Sequence, residues 1–454
     1  MTDLPRNSVL FALFRLLFIC RFYYPVYFVM FQRFGLNIVE FTTLNLIWAI
    51  AIVVLEVPSG ALADQVGRKR LVVFAAVLMV VEIAVLLLID PGWGKGLVFS
   101  LFVINRILSG AAEAAASGAD EALAYDSIPE AEREHLWRRT MKWVLIGISI
   151  GFMVTSIIGA AVFDPNLMNS VLRTIAPGFE VTSEQTLKLP LVLNLFTAIA
   201  ALVVALQFKE APRLSSGGLQ SVRESFTGTF RAGGWILRTP AALALMLIGL
   251  FYDSLIRLYY TVSSNVYRLL QLPEAVWGFV GAGASLVGIG VALMCERMTT
   301  RWSASANFCF VTALVFLGCL ALANPVPIWG IFLLLPMLTV MRFLQYFLSH
   351  YLNQVTPSPQ RATVLSFKGV SMNLSYGLLT QLFGVTTAAL STREPFAAAP
   401  DPEFAAFAKA LTWWPGYFAL VSAMLFLFLR LLYRKSLTTL IVEGREANSG
   451  KAAP

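Results

Sequence analysis

The sequence predicts an all-α polytopic membrane protein with twelve transmembrane helices in two pseudo-symmetric six-helix bundles. Its 454 residues are 58% hydrophobic and 13% charged, with a mean hydropathy of +0.73, whereas soluble domains are about 45–50% apolar and about 25% charged. Apolar runs of roughly 20 residues, enough to cross a hydrocarbon core of about 30 Å as helices, recur along the chain. The longest polar connection, 209–240, leaves six such runs on either side.

These apolar runs are assigned to helices because helices satisfy their own backbone groups in lipid, and the runs are too long for barrel strands. The predicted spans are 8–31, 38–62, 70–89, 96–118, 141–163, 189–208, 241–262, 275–296, 303–323, 328–352, 361–386 and 411–433. The first run is kept as a span and not as a cleavable signal peptide, because it is long, contains Arg15 and Arg21, and lacks a small-residue cleavage site.

The order of the spans divides the chain into four predicted regions. These are an N-terminal six-helix bundle (1–208), a cytoplasmic linker (209–240), a C-terminal six-helix bundle (241–435) and a polar cytoplasmic tail that we expect to be disordered (436–454). Within the linker, apolar residues share a helical face opposite three arginines: Val222, Phe226, Phe230 and Leu237 against Arg223, Arg231 and Arg238. This pattern suits a helix on the inner membrane surface, and an ordinary linker is the alternative.

The net charge of +8 follows membrane topology and does not indicate a nucleic-acid partner. With both termini inside, roughly 20 Lys and Arg fall in cytoplasmic segments and roughly 7 in outer loops, as the positive-inside rule requires. We therefore expect a multi-pass monomer in the plasma (inner) membrane with both termini cytoplasmic. We expect no metal site and no cofactor, because the cysteines lack metal-binding spacing and the histidines are isolated.

Ionisable residues within the predicted spans concentrate in the first and fourth helix of each half. They are Arg15 and Arg21 in the first span, Arg106 and Glu113 in the fourth, Asp253 and Arg257 in the seventh, and Arg342 and His350 in the tenth. Because a charge at mid-membrane depth is costly, such residues normally face a polar cavity or a partner. The pattern predicts that these four helices line one cavity, with a parallel internal repeat and a site between the repeats.

Two motifs identify the family. GALADQVGRK (60–69), between the second and third spans, resembles the cytoplasmic loop signature of the major facilitator superfamily, and NRILSGAAEAAASG (105–118) is similar to its Arg-x-x-x-Gly element in the fourth helix. Together with the spans and the long central loop, the resemblance covers nearly the whole chain. The segments 56–64, 117–127 and 351–366 resemble those of prokaryotic drug-resistance-like and unassigned permeases.

The resemblance implies a cytoplasmic gate. Its residues here would be Gly60, Asp64, Gly67, Arg68, Lys69 and Asp120. Asp64 would dock against the start of the eleventh span, where Ser358 as N-cap and Pro359 begin a helix whose positive end favours a carboxylate. Arg68 would bridge to Asp120, with Glu121 as the second choice. The alternative is that residues 68–70 are only positive-inside anchors.

The sequence departs from the family pattern in three places. Gln65 stands where the family usually has a basic residue, and the corresponding second-half loop, 295–303, keeps its cations but has lost the Gly and Asp. The fifth span retains Gly147 and Gly151 but lacks the proline of the antiporter signature. The gate is therefore expected to be asymmetric, and an antiporter assignment is weakened.

Two carboxylates are candidates for proton coupling. The helical neighbours of Glu113 are Ser109, Gly110, Ala116 and Ser117, none of them a cation. A buried carboxylate without a local partner binds a proton more readily, so Glu113 is the first candidate. Asp253 is the second, but Arg257 four residues on can neutralise it as a structural pair. Glu82, alone on a peripheral helix, is interpreted as a packing residue.

The expected function is secondary active transport of a small organic solute by alternating access, most simply proton-coupled efflux of a drug-like or metabolite substrate. The substrate pathway is expected to include Arg21, Arg106, Arg257, Arg342, Gln345 and Lys368. Its excess of cations would equally suit an organic-anion facilitator or exchanger without proton coupling. A membrane enzyme or sensor is the remote alternative, because the sequence shows no clustered nucleophile, dyad or metal set and no soluble output domain.

Overall fold

The computed structural model describes residues 4–176, 178–210, 222–357 and 360–448. Every regular element in these residues is a helix. The helices are α1 (Arg6–Ile19), α2 (Tyr27–Arg33), α3 (Ile38–Val66), α4 (Arg68–Leu88), α5 (Lys95–Ala116), α6 (Ala119–Asp126), α7 (Arg133–Phe163), α8 (Pro165–Ile175), α9 (Ser183–Gln207), α10 (Val222–Arg238), α11 (Pro240–Leu269), α12 (Glu274–Arg301), α13 (Ala304–Ala323), α14 (Gly330–Leu333), α15 (Leu335–Val355), α16 (Arg361–Ser391), α17 (Pro402–Leu411), α18 (Trp414–Tyr433) and α19 (Leu437–Asn448).

Within the described residues, 10 helical stretches are long and apolar enough to cross a membrane. They coincide with all the predicted spans except the eighth and the eleventh. At those two places the chain forms α12, of 28 residues, and α16, of 31 residues. The all-helical membrane fold is therefore confirmed, and twelve crossings remain a prediction at these two helices.

The chain forms two compact units. Unit 1 comprises Met1–Phe226 with Leu272–Ser285, and unit 2 comprises Thr227–Gln271 with Leu286–Pro454. The first part of α12 therefore belongs to unit 1 and the rest to unit 2.

The core of unit 1 is rich in small and aromatic side chains. Helix α4 packs on α5 and α9, and α1 packs on α7 and α9. Ala75 and Ala76 of α4 and Ala201 of α9 are fully buried in this core, next to Phe14 of α1. Small residues let helix backbones approach closely, which is how helices associate in lipid.

In unit 2 the central element is α11, with 72% of its spanning window buried. It packs against α15 and α16. Its large aromatic side chains, Tyr252 and Tyr259, are completely buried. The buried hydroxyl of Tyr252 lies 2.8 Å from Thr312 Oγ1 and donates to Ser422 Oγ at 3.3 Å. This satisfies a polar group that would be costly to leave unpaired in the core.

The prediction that the tail is disordered is wrong for residues 437–448, which form α19. Leu440 and Ile441 of α19 are buried. Thr438 accepts a hydrogen bond from the Ser305 backbone N–H at 3.0 Å, and its own N–H donates to Ser305 Oγ at 3.1 Å. The apolar pair in an otherwise polar segment supplies the buried surface that orders this helix; residues 449–454 lie outside the described part of the chain.

The linker contains a helix, α10, and residues 211–221 lie outside the described part. Among the side chains of α10 that the structure describes, Ala232 and Ile236 are buried, and a Cβ at Gly233 would overlap the ring of Phe367, at 2.7 Å. Leu237 is 68% exposed. Leu237 belongs to the predicted apolar face of α10, and its exposed side chain is free to contact lipid. The position of α10 on the membrane surface stays a prediction.

Candidate functional site

The first membrane span is not one continuous helix, contrary to the prediction of a helix over 8–31. Helix α1 ends at Ile19 and α2 begins at Tyr27, with only a 3₁₀ turn at Tyr24–Val26 between them. Pro25 explains the break, because a proline has no N–H and its ring clashes with the carbonyl four residues earlier.

Two other helices of unit 1 support the broken segment. The N–H of Phe22 donates a 2.7 Å hydrogen bond to Asn194 Oδ1 on α9. A Cβ at Gly159 on α7 would overlap the carbonyl group of Phe22, so only glycine fits there. Non-helical backbone at membrane depth persists where protein groups satisfy it. The break is therefore a supported feature of the fold.

A chain of buried polar contacts begins at this break. The Arg21 guanidinium lies 2.8 Å from a carboxylate oxygen of Glu82 on α4, with side-chain exposures of 6% and 0%. Asn105 Nδ2 donates to the Glu82 carbonyl oxygen at 2.8 Å, and Arg106 donates to Asn105 Oδ1 at 2.8 and 2.6 Å. Arg106 also donates to the Tyr27 hydroxyl at 2.9 Å. Arg21 and Arg106 are thus tied to protein partners, and Glu82 is the counter-charge on which Arg21 depends.

The contacts of Asp120 correct one part of the predicted gate. Both oxygens of Asp120 face Arg15 on α1, at 2.6 and 2.9 Å. Arg68 forms its ion pair with Asp126, and not with Asp120 or Glu121. The reason is geometric: Gly118 adopts a left-handed φ of +75° between α5 and α6, which turns α6 so that Asp120 points to α1.

The remaining gate residues lie at the junction of α3 and α4. Gly67 has φ +101°, a value that favours glycine. The backbone N–H groups of Arg68 and Lys69 donate to the Glu210 carboxylate at 3.0 and 3.2 Å. Sequence reasoning missed this cap, although a carboxylate is favoured at a helix N-terminus. The structure does not describe the side-chain surroundings of Gly60 and Asp64, and Ser358 and Pro359 lie outside its described part. The expected docking of Asp64 therefore stays a prediction.

Two carboxylates of unit 1 differ from the paired ones. Glu113 on α5 has no ion pair and no side-chain hydrogen bond within the described residues, and Glu56 Oε2 is buried without a hydrogen-bond partner there. Glu56 and Glu113 are close enough to repel one another electrostatically. Arg15 and Arg21 attract Glu113.

Unit 2 has a second charged cluster, on α11, α15 and α16. Arg257 Nε donates to Asp253 Oδ2 at 2.9 Å, and Gln345 Nε2 donates to Asp253 Oδ1 at 2.6 Å. The other two guanidinium nitrogens donate to Asn373 Oδ1 at 2.8 and 2.9 Å. Lys368 interacts electrostatically with Asp253, but it forms no ion pair within the described residues. The Asp253–Arg257 pair anticipated from the four-residue spacing is present, so Asp253 is already neutralised.

Arg342 is the exception in unit 2. Its side chain is exposed, and within the described residues it has neither an ion pair nor a hydrogen bond. Its guanidinium lies across α12 at Gly288, where a Cβ would overlap it. Arg106, which like Arg342 lies within the predicted fourth span of its half, is by contrast buried and hydrogen-bonded.

The described residues contain no group of three or more His, Cys, Asp or Glu side chains that could hold a metal ion. The absence of a cofactor stays a prediction.

The sequence matches the family model described as Major Facilitator Superfamily over residues 9–380. The chain belongs to the major facilitator superfamily. It is therefore a multi-pass membrane transporter of small molecules, and members of this family are generally not enzymes. No curated protein matches the chain.

Solved structures share the fold at low sequence identity. A variant of the nucleoside transporter NupG is 11% identical with a TM-score of 0.71, over 92% of this chain and 99% of that one. A bacterial homolog of the human lysosomal transporter Spinster, inward-facing and unoccupied, is 15% identical with a TM-score of 0.68, over 99% of each chain. A D-xylose–proton symporter is 11% identical with a TM-score of 0.64, over 91% of this chain and 96% of that one.

Proposed function

We propose that this transporter exports a small drug-like or metabolite solute in exchange for protons, and that Glu113 carries the proton. The observation behind this proposal is a contrast among the carboxylates. Glu82, Asp120 and Asp253 each face an arginine at 2.6–2.9 Å, whereas Glu113 has no such partner within the described residues. An arginine favours the charged form of the carboxylate that it faces, so the carboxylates without an arginine, Glu113 and Glu56, are the better candidates to exchange a proton. We propose Glu113 rather than Glu56 because Glu113 also interacts with Arg15 and Arg21.

The surroundings of Glu113 make its protonation consequential. The groups that interact with it electrostatically are Arg15, Arg21, Tyr24, Glu56, Glu82 and Asp120. When Glu113 is ionised, its charge is attracted by the two arginines and repelled by the acids. Protonation removes one negative charge from this cluster, and a change of that kind shifts the balance between conformations that hold the cluster differently.

Coupling to protons and the direction of transport rest on different support. The D-xylose–proton symporter among the similar structures gives a precedent for proton coupling on this fold. The direction we propose is export, because 56–64, 117–127 and 351–366 resemble drug-resistance-like permeases.

We also propose that the protein is a monomer in the inner membrane. Both termini would be cytoplasmic, as the positive-inside distribution indicates. Gly60, Asp64 and Lys69 remain proposed gate residues with Arg68, whose partner is now Asp126.

A second candidate function is an organic-anion facilitator or exchanger without proton coupling. It is favoured by the exposed Arg342 and by Lys368, neither of which has an ion-pair partner within the described residues. The absence of the antiporter proline from the fifth span points the same way.

The test is transport by the purified protein in liposomes. Labelled solutes of cationic, neutral and anionic character are loaded, and their release is followed with and without an inward proton gradient. The proposal expects release of at least one solute to accelerate when the outside is acidified, and to slow when a protonophore collapses the gradient. Release that ignores the gradient would favour the facilitator.

A further inference from the structure

Arg342 stands at the middle of a membrane span. Gly330 is the first and Val355 the last residue of a 26-residue span, so Arg342 is the thirteenth. A guanidinium at this depth is tolerated only where it meets water, a partner or polar backbone. Its side chain is exposed, and within the described residues it has neither an ion pair nor a hydrogen bond, so we expect it to face water.

The structure makes room for this guanidinium. Gly288 of α12 is the residue over which it lies, and any larger side chain there would displace it. By contrast, Gly290, two residues further along α12, has open space where a Cβ would be. The position of the guanidinium is therefore specified by a neighbouring helix.

Two tyrosines lie beside it. Tyr260 of α11 is close enough to interact electrostatically with Arg342 and is 37% exposed, and Tyr346, one helical turn along α15, is 36% exposed. Tyr260 donates its hydroxyl proton to the Leu338 carbonyl at 2.8 Å, which fixes its ring. An exposed cation with one exposed tyrosine four residues along its own helix and another on α11 offers both charge and apolar contact to a ligand.

The other charges of unit 2 do not neutralise Arg342. Asp253 is bound to Arg257 and Gln345, and it is the only acidic residue within the described membrane-spanning helices of unit 2 away from their ends. Lys368 interacts electrostatically with Asp253. Within the described residues Arg342 therefore has no acidic partner, and an anionic ligand would balance its charge.

We propose that Arg342 is the binding residue for the anionic group, a carboxylate or a phosphate, of an aromatic or apolar substrate. This deepens the proposed function and rests on it for the statement that a substrate is carried. A planar guanidinium can donate two parallel hydrogen bonds to either oxyanion, which makes arginine a better match than lysine for this role. Tyr260 and Tyr346 contact the apolar part of the ligand.

The test is binding of four compounds with one ring and different charges: benzoate, phenyl phosphate, benzyl alcohol and benzylamine. Affinities are measured by calorimetry on the purified protein. Wild type should bind one or both anions at least about tenfold more tightly than the alcohol and the amine, a difference of about 1.4 kcal/mol, since a hydrogen bond between charged groups is stronger than one between neutral groups. Benzoate against phenyl phosphate distinguishes a carboxylate from a phosphate site. Arg342→Gln should lose this preference, and Arg342→Lys should retain part of it.

Two glycine variants separate displacement of the guanidinium from general damage. Gly288→Ala should weaken binding of the preferred anion at least about tenfold while leaving thermal stability near wild type, because the far end of the arginine side chain can move aside. Gly290→Ala should bind like wild type. Equal binding of anions, alcohol and amine, no binding of either anion, or anion binding that survives Arg342→Gln would overturn the proposal.

These outcomes are separable from failure of the proposed function. Anion binding that depends on Arg342, without any gradient-driven transport, would retain the site and refute proton coupling. Gradient-driven export of benzylamine together with absent anion binding would retain coupling and refute the site.

Discussion

Replacing Glu82 by Gln should leave Arg21 without a counter-charge at a position where only 6% of the arginine side chain and none of the glutamate is exposed. Removing one partner of a buried ion pair typically destabilises a protein by about 3–5 kcal/mol, because the remaining charge stays desolvated. Gln keeps the shape of the side chain and its oxygen can still accept a hydrogen bond from Arg21. We therefore expect a loss near the lower end, about 3 kcal/mol.

The assay is reversible unfolding of the purified protein in mixed micelles, reported as the free energy of unfolding. The matched control is Glu180→Gln, which removes an acid from the 3.0 Å pair with Arg173, where the side chains are 72% and 65% exposed. Exposed pairs contribute about 0–1 kcal/mol. The double variant Arg21→Met with Glu82→Met should be more stable than Glu82→Gln alone, since no charge is left buried. A Glu82→Gln variant as stable as the Glu180→Gln control would refute the interpretation of this pair.

Three further predictions follow from single contacts. Gly159→Ala should destabilise the protein by about 1–3 kcal/mol in the same unfolding assay, because its Cβ would overlap the Phe22 carbonyl. The control Gly147→Ala, whose Cβ meets open space, should be neutral or stabilising. Equal effects of the two variants would contradict the packing of Gly159 against the broken first span. Arg68→Asp should impair transport, and the second substitution Asp126→Arg should rescue it, whereas Asp120→Arg should not. Rescue by Asp120→Arg would instead support the Arg68–Asp120 pair predicted from the sequence. In a cysteine-free background, Ser183→Cys should react with an impermeant thiol reagent in right-side-out vesicles and Ser436→Cys should not; the reverse would overturn the orientation.

Local rules in the sequence predicted the contacts that depend on local spacing. The Asp253–Arg257 pair lies within one helix at a separation of four residues, where side chains meet by helix geometry alone. The spans were equally readable, because length and apolarity decide them. Pro25 is also a local signal, but because neighbouring helices often support a proline in a membrane helix, its presence alone does not specify a break.

Contacts between distant segments decided the rest. Arg21 finds Glu82 across more than sixty residues of sequence, and Phe22 finds Asn194 on another helix. Arg68 pairs with Asp126 instead of the predicted Asp120 because the left-handed turn at Gly118 changes the direction of the short helix α6. Asn105 and Asn194 can be recognised in the sequence as residues that need a hydrogen-bond partner, because each is an uncharged polar residue within an apolar span. The sequence cannot specify which partner each one takes without the packing.

Whether Glu113 carries the proton is decided by a pair of measurements on Glu113→Gln. In proteoliposomes, solute release driven by a proton gradient is compared with solute exchange at equal pH on both sides, for wild type, Glu113→Gln, Asp253→Asn and the exposed control Glu184→Gln. Glu113→Gln should abolish gradient-driven release yet retain exchange, since a permanently neutral side chain can still cycle with solute but cannot pick up and release a proton. Glu184→Gln should behave as wild type in both assays. Gradient-driven release that persists in Glu113→Gln would show that Glu113 is not the proton carrier, and its loss in Asp253→Asn instead would assign the proton to Asp253.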